Sequence, residues 1–246
     1  MTAVRLQSVC LDQPESAFAR FLRLLSRDEL ARASRFVFDR DRRRFVVCRG
    51  ALRESLGRLL GREPASIVFE YGERGKPSLP DANLHFNVSH SAGLALFAFS
   101  TTGPIGVDVE HVERSVDAEA LATRFFSPDE AQELLTVTPN QRRRAFFNCW
   151  TRKESFIKAI GDGLSRPLDS FSVTLRPGDP ATMRRIDGDD AAEWQLAAFE
   201  PAHGYVAAVA ARQRRPLTFS HDWDQRTPDA KRSDAFDPSR PTRGLR

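Results

Sequence analysis

The segment Ile105-Gly106-Val107-Asp108-Val109-Glu110 places an apolar residue at every second position, which is the pattern of a strand with two unlike faces. Side chains two residues apart in a strand point to the same face, so Asp108 and Glu110 lie together, opposite the apolar residues. Two acids on one face repel each other, and a hard cation such as Mg²⁺ removes that repulsion because it prefers carboxylate oxygens. The segment therefore predicts a strand that carries a metal site; the alternative is a strand end whose acids are solvated.

A helix predicted over residues 142–160 carries the second group of candidate residues. Trp150, Glu154 and Lys158 lie on one face of it, since each follows the previous one by four residues. Only four of the 37 basic residues are Lys, and two of them, Lys153 and Lys158, fall in this helix. A lysine ammonium approaches a single phosphate oxygen as a point charge and can give up its proton. The pattern favours a phosphate-binding helix; the alternative is an exposed Glu–Lys pair on a helix surface.

A short polar segment, Ser89-His90-Ser91, follows a strand predicted at residues 84–88. We predict a turn there, before a second strand at residues 94–100. A lone histidine in such a position is often a hydrogen-bonded structural residue, but the two serine hydroxyls add donors around it. The segment is therefore also a candidate phosphate cradle.

Helical and strand patterns occur in the same order twice along the chain. Helical periodicity covers residues 16–60 up to Gly61, and strands are predicted after it at residues 67–71, 84–88 and 94–100. Beyond Gly103-Pro104, helices are predicted at 117–126, from the capping box Ser127-Pro128-Asp129-Glu130 onward and at 142–160, and strands at 171–175, 194–199 and 205–211. We predict an α+β fold of two α/β halves, residues 1–103 and 104–212, with a mobile tail over residues 213–246.

The composition of the 246 residues is that of a globular protein, with 41% hydrophobic residues and 18 Phe. Three cysteines lie far apart without CxxC spacing, which argues against a zinc ribbon and against a disulfide framework. No apolar run is long enough to cross a membrane, and none follows a basic start. We therefore expect a cytoplasmic protein with no membrane partner.

The net charge of +4 conceals a strong segregation. Residues 20–62, termed the basic arm, hold 13 Arg against five acids, whereas residues 63–210 hold 14 cations against 21 acids. A polyanionic partner is one interpretation of the basic arm, and a solvated Arg-rich helix is the other. A nucleic-acid-binding module would use the arm but would leave Asp108, Glu110 and Glu154 unexplained. We therefore expect no nucleic-acid partner.

Five motifs occur in one order along the chain: Gly75-Lys76-Pro77, Phe86-Asn87-Val88-Ser89-His90-Ser91, Gly106-Val107-Asp108-Val109-Glu110, Phe125-Phe126-Ser127 and Trp150-x-x-Lys153-Glu154-Ser155-x-x-Lys158. Together they resemble the Sfp-type 4′-phosphopantetheinyl transferases, which activate the carrier proteins of peptide, polyketide and fatty-acid synthases. Gly163-Leu164-Ser165 and Pro167-Leu168-Asp169-Ser170-Phe171 also match. The resemblance covers roughly residues 20–212.

The resemblance implies a reaction and a fold. The 4′-phosphopantetheine group of coenzyme A would be transferred to a serine of an acyl or peptidyl carrier protein, with release of 3′,5′-ADP and dependence on Mg²⁺, or on Mn²⁺ in its place. The family fold consists of two similar α/β subdomains related by a pseudo-twofold, with the active site at their interface. A monomer is implied, because the trimeric relatives are about half this length.

The resemblance also implies roles for individual residues. Asp108, Glu110 and Glu154 match the metal ligands, and Glu154 also matches the base that deprotonates the carrier serine. Lys158 matches the lysine on the pyrophosphate of coenzyme A, and Lys153 lies in the same motif. Ser89 and His90 match residues at the 3′-phosphate, and Arg44 and Arg32 are the contributors expected there from the basic arm. Lys76 and Pro77 match the loop that lies against the adenine.

The sequence departs from the family at Glu29, where relatives often have Lys, which puts one 3′-phosphate contact in doubt. Carrier proteins are typically acidic, so exposed arginines near Arg114, Arg124 and residues 142–144 are candidates for docking them; a solvated helix face is the alternative for 142–144. A different Mg²⁺-dependent nucleotide-cleaving enzyme would share the carboxylates. It would need neither the Gly75-Lys76-Pro77 loop nor the motif that begins at Trp150.

Overall fold

The computed structural model describes residues 3–72, 75–161 and 166–222 of the chain. Helices and strands are mixed along these residues in an α+β fold. The helices are α1 (Glu15–Leu22), α2 (Arg27–Ala33), α3 (Asp39–Leu60), α4 (Ala118–Phe125), α5 (Pro128–Thr136) and α6 (Pro139–Ile160). The strands are β1 (Ala3–Cys10), β2 (Glu70–Tyr71), β3 (Pro77–Ser78), β4 (His85–Ser91), β5 (Leu94–Ser100), β6 (Ile105–His111), β7 (Phe171–Val173), β8 (Met183–Ile186), β9 (Trp194–Phe199), β10 (Tyr205–Arg212) and β11 (Thr218–Asp222).

The first sheet has the strand order β11-β1-β5-β4, and its centre is covered on both faces. Every residue of β5 is buried. Its odd-numbered residues, such as Phe97, pack with Val46 and other apolar residues of α1–α3. Its even-numbered residues, such as Leu96, pack with Val107 and Val209 of a second sheet, whose order is β6-β10-β9. An antiparallel strand buried on both faces reads as a continuous apolar run, as residues 94–99 do.

The second sheet is covered on its other face by helices α4–α6. Val206 and Ala210 of β10 belong to the same apolar core as Phe147 and Phe156 of α6. The described residues thus form four layers: helices α1–α3, the first sheet, the second sheet and helices α4–α6. The pseudo-twofold relation between the halves stays a prediction.

Helix α6 lies directly across strand β6 because residue 106 is glycine. A Cβ atom built on Gly106 would overlap the backbone of Ser155 and Ala159. Only a residue without a side chain therefore allows helix and strand to approach this closely. The even-numbered face of β6, which carries Asp108 and Glu110, is consequently turned toward α6.

Several terminal signals in the sequence are confirmed. Helix α3 ends at Gly61, which has a left-handed φ of +63°, and α5 begins with the predicted Ser127–Glu130 capping box. The helical region predicted over residues 16–60 consists of three helices, and the second of them, α2, begins at Ser26 with a capping box that includes Glu29.

The predicted tail over residues 213–246 is partly wrong. Residues Thr218–Asp222 form β11, which pairs in parallel with β1, so strand pairing holds this segment although it has few aliphatic residues. Residues 223–246 lie outside the described part of the chain. Among the described residues, no helix has both the length and the apolar character needed to cross a membrane.

Candidate active site

Strand β4 contacts β6 through its side chains. Three β4 side-chain oxygens accept backbone N–H groups of β6, namely Asn87 Oδ1 from Val107 (2.9 Å), Ser89 Oγ from Val109 (3.2 Å) and Ser91 Oγ from His111 (3.1 Å). The predicted turn at Ser89-His90-Ser91 is therefore wrong. These residues continue β4 by pairing with β5, while the hydroxyls of Ser89 and Ser91 accept N–H groups of β6.

The same serines also hold the two acids of β6. Ser89 Oγ donates to Asp108 Oδ1 at 2.8 Å, and Ser91 Oγ donates to Glu110 Oε2 at 2.6 Å. Arg114 Nη1 donates to Glu110 Oε1 at 2.9 Å. Sequence reasoning treated the serines as phosphate donors and did not identify them as partners of the carboxylates. Their i, i+2 spacing, matched to that of Asp108 and Glu110, was the available signal.

Helix α6 places the predicted face beside these acids. A cavity of about 460 Å³, termed the acidic cavity, is lined by Trp150, Glu154 and Lys158 together with Asp108 and Glu110. Lys158 Nζ lies 2.6 Å from Asp108 Oδ1 and 3.2 Å from Ser89 Oγ. Phe125 and Leu168 add apolar wall to the same cavity. The spacing of four residues predicted that Trp150, Glu154 and Lys158 share one helix face, and in the structure that face is turned toward the acids of β6.

The electrostatics of the acidic cavity favour a proton acceptor at Glu154. Burial raises the pKa of Glu154, the negative charges of Asp108 and Glu110 raise it further, and Lys158 opposes them. A carboxylate with a raised pKa is better matched to proton transfer near neutral pH than an exposed glutamate.

Three carboxylates line the acidic cavity, and their chemistry fits a hard divalent cation. Asp108 Oδ2 is buried and has no hydrogen-bond partner among the described residues, so it is available to a ligand. Lys158 pairs with Asp108 and Arg114 with Glu110. In this arrangement no three His, Cys, Asp or Glu side chains within the described ranges form a metal-binding group.

A second cavity, of about 600 Å³ and termed the basic cavity, adjoins the first. Val88 and His90 line both. Its charged lining residues are three arginines, Arg32, Arg44 and Arg49, and one acid, Asp41. Pro77, which was predicted to lie against the adenine, lines the same cavity. The two cavities together form one cleft that is basic at one end and acidic at the other.

The arginines of the basic cavity are held by neighbouring side chains. Arg44 donates to both carboxylate oxygens of Asp12 at 2.7 Å, which lowers the pKa of Asp12. The guanidinium of Arg32 lies 5.3 Å from the ring centroid of Phe45. Both cations face a volume large enough for a nucleotide.

His90 and Lys76 lie where the basic cavity meets α6. Loss of solvation lowers the pKa of His90, and the charge of Lys158 lowers it further. Burial and the same Lys158 charge lower the pKa of Lys76, whose Nζ donates to the main-chain carbonyl of Lys158. Lys76 thus connects the loop before β3 to the end of α6.

Lys153, which the resemblance placed among the coenzyme A contacts, does not line either cavity. Its side chain is 0% exposed and its Nζ lies 2.7 Å from Glu130 Oε2. It also donates to the carbonyls of Leu168 and Phe171. That prediction is corrected: Lys153 is on the core side of α6, one residue from Glu154 but about 100° around the helix.

Glu29, the noted departure from the family, is also a core residue. Its side chain is 2% exposed and lies 2.7 Å from Arg53 Nε and 3.1 Å from Arg49 Nε.

The arginines of residues 142–144 are bound to neighbouring carbonyls and to Glu119 and Glu200. These contacts favour a structural role for residues 142–144 over carrier docking.

Two family profiles match adjacent parts of the chain. The profile of the 4′-phosphopantetheinyl transferase superfamily matches residues 104–210, and the profile described as 4′-phosphopantetheinyl transferase, N-terminal, matches residues 13–102. The predicted motif at Gly163-Leu164-Ser165 lies outside the described residues and adds nothing to the geometry.

Curated relatives carry the same description. The chain is 44% identical to 4′-phosphopantetheinyl transferase HetI of Nostoc sp. over 84% of this chain and 86% of that one. It is 36% identical to a 4′-phosphopantetheinyl transferase of Bacillus subtilis, over 76% and 84%. It is 32% identical to 4′-phosphopantetheinyl transferase Sfp of Bacillus subtilis strain 168, over 85% and 92%.

Proposed function

The chain belongs to the 4′-phosphopantetheinyl transferase superfamily, and on that premise we propose that it transfers 4′-phosphopantetheine from coenzyme A to a serine of an acyl or peptidyl carrier protein, releasing 3′,5′-ADP. The observation that carries the proposal is the two-ended cleft. Coenzyme A has a nucleotide with a 3′-phosphate at one end and a pyrophosphate next to it. The basic and acidic cavities adjoin at His90 in the same order.

The basic cavity is assigned to the nucleotide. Arg32 and Arg44 supply positive charge for the 3′-phosphate, with Ser89 and His90 at the junction of the two cavities. Pro77 supplies an apolar surface for the adenine. Arg44 is paired with Asp12 in the protein without ligand. If it turned to the 3′-phosphate on binding, it would have a charge-assisted hydrogen bond both before and after.

The acidic cavity is assigned to the reacting groups. Asp108, Glu110 and Glu154 would hold the divalent cation, Mg²⁺ or Mn²⁺, which when bound neutralises negative charge on the pyrophosphate. The orphaned Asp108 Oδ2 and the all-carboxylate donor set support this assignment.

Proton and charge movements follow from the protein side chains. Glu154, with its raised pKa, accepts the proton of the carrier serine, directly or through a water molecule. The serine oxygen bonds to the β-phosphorus of coenzyme A, and the bond from that phosphorus to the bridging oxygen breaks. Lys158 stabilises the negative charge that collects on the departing 3′,5′-ADP.

Internal pairing of the basic arm supports a small ligand over a nucleic acid. At least eight of its 13 arginines form ion pairs with acidic side chains of the described residues: Arg20, Arg40, Arg42, Arg43, Arg44, Arg49, Arg53 and Arg62. Charges already neutralised in this way contribute little to long-range attraction of a polyanion. A monomer in the cytoplasm stays our expectation.

The direct test mixes the purified protein with Mg²⁺, coenzyme A and several apo carrier proteins, acyl and peptidyl, and follows carrier mass and 3′,5′-ADP. We expect one phosphopantetheine per carrier, one 3′,5′-ADP per modification, and no reaction with a carrier whose acceptor serine is alanine. Absence of both products with every carrier, from protein that remains folded by circular dichroism, would contradict the proposed function.

A further inference from the structure

Three of the chain segments that line the basic cavity are joined through Arg49 or lie next to its contacts. Helix α2 contributes Arg32, helix α3 contributes Arg44 and Arg49, and the segment entering β3 contributes Gly75 and, at the start of the strand, Pro77. Such a cavity keeps its shape only if these segments are fixed relative to one another. The contacts of Arg49 do this for two of the three junctions.

The first junction joins α2 to α3 through Glu29. One carboxylate oxygen of Glu29 accepts the Ser26 backbone N–H at 2.9 Å and the Arg53 Nε–H at 2.7 Å. The other carboxylate oxygen lies 3.1 Å from Arg49 Nε. Because Glu29 is 2% exposed and Arg49 10% exposed at the side chain, the pair is shielded from water and fixes the guanidinium of Arg49.

The second junction joins α3 to the paired strands β2 and β3. Arg49 Nη2 donates to the hydroxyl of Tyr71 at 2.8 Å, and its guanidinium lies 4.9 Å from the ring centroid of Phe69. Tyr71 pairs in register with Pro77 across β2 and β3. Tyr71 is therefore on the strand next to Pro77, the residue assigned to the adenine.

We propose that Arg49 is a positioning residue for coenzyme A, acting through Glu29 on the helix that carries Arg32 and through the Tyr71 hydroxyl on the strand that carries Pro77. This inference rests on the proposed function, because it concerns the nucleotide end of the same cleft. An arginine suits this role, since its planar guanidinium reaches in two directions at once: Nε lies 3.1 Å from Glu29 Oε1 in an ion pair, and Nη2 donates to the Tyr71 hydroxyl. A lysine ammonium on a single stem does not reproduce both contacts.

The test uses Tyr71→Phe, which removes one hydroxyl and keeps the ring. The chain has only two tyrosines, so Tyr205→Phe is a matched control; the Tyr205 hydroxyl accepts the Gly93 N–H and does not line either cavity. Titration calorimetry measures Kd for coenzyme A and for 3′,5′-ADP, and the transfer assay measures kcat and KM. We expect Tyr71→Phe to raise Kd and the KM for coenzyme A about fivefold, the order of one typical hydrogen bond, with kcat at saturation unchanged. Tyr205→Phe leaves all of these values unchanged.

Arg49→Lys extends the test. It should raise Kd at least as much as Tyr71→Phe, and the double variant should bind no more weakly than Arg49→Lys alone, because both changes remove the same contact. A merely structural role predicts instead a lower Tm and a lower kcat at constant KM. Wild-type protein that binds coenzyme A, combined with an unchanged Kd in Tyr71→Phe, overturns this inference alone. Wild-type protein that binds neither coenzyme A nor 3′,5′-ADP overturns the proposed function as well.

Discussion

The backbone of Gly106 in β6 lies against the backbone of Ser155 in α6, so closely that a Cβ atom on Gly106 would overlap the Ser155 carbonyl oxygen. This contact brings the helix that carries Glu154 and Lys158 onto the strand that carries Asp108 and Glu110. The acidic cavity exists because of it.

Gly106→Ala should therefore disturb both stability and the site. The added methyl group meets backbone atoms that cannot turn aside, so helix and strand must separate, at a cost of about 2 kcal/mol or more. Thermal unfolding and the transfer assay measure the two effects. Gly103→Ala is the control, since nothing lies within 4 Å of a Cβ atom there. Equal Tm values for the two variants would contradict the packing argument.

Glu154→Gln should abolish transfer while leaving coenzyme A binding largely intact. The amide cannot accept the serine proton, and removal of a general base costs about 10²-fold to 10⁴-fold in rate. Carrier mass measures turnover, and calorimetry measures coenzyme A binding in the absence of carrier. Glu63→Gln, a change at an exposed glutamate that lines neither cavity, should retain full turnover. Undiminished turnover in Glu154→Gln would reject the role of base.

Lys153 and Lys158, five residues apart, should respond in opposite ways to replacement by Met. Lys153→Met leaves Glu130 buried without its cation, which costs about 3–5 kcal/mol of folding free energy. Lys158→Met leaves the core intact and should mainly reduce transfer, since Lys158 faces the acidic cavity. Urea unfolding and kcat/KM for coenzyme A separate the two. A larger stability loss in Lys158→Met than in Lys153→Met would contradict the assignment.

The contribution of Glu133 to stability should depend on pH. Arg184 and Arg176 lower the pKa of Glu133 in the folded protein, so its carboxylate stabilises the fold above its unfolded pKa. That contribution is lost as the pH falls through the lower folded value. Glu133→Gln should therefore reduce the free energy of unfolding at pH 7 by less than about 1 kcal/mol, because both arginines are partly exposed. The difference from wild type should narrow toward pH 3 in urea titrations; a constant difference would argue against the ion pairs.

Local patterns determined much of this protein. Alternation at residues 105–110 and four-residue spacing at Trp150, Glu154 and Lys158 give the elements and the faces of the acidic cavity, because strand and helix periodicities are set by the backbone. The capping box at Ser127 and the end of α3 at Gly61 were also predictable, because the residues that begin and end helices act on the adjacent backbone. The ordered motifs identified the family, which the profiles and relatives confirm.

Tertiary structure alone decided which side of an element each polar residue serves. Helix periodicity separates Lys153 from Glu154 by about 100°, but only the elements packed on α6 decide that Lys153 meets Glu130 in the core while Glu154 lines the cleft. Ser89 and Ser91 hold the acids of β6 because β4 and β6 meet at that edge, and strand β11 exists because β1 offers a free edge. Contacts between residues far apart in the chain depend on packing that no local spacing specifies.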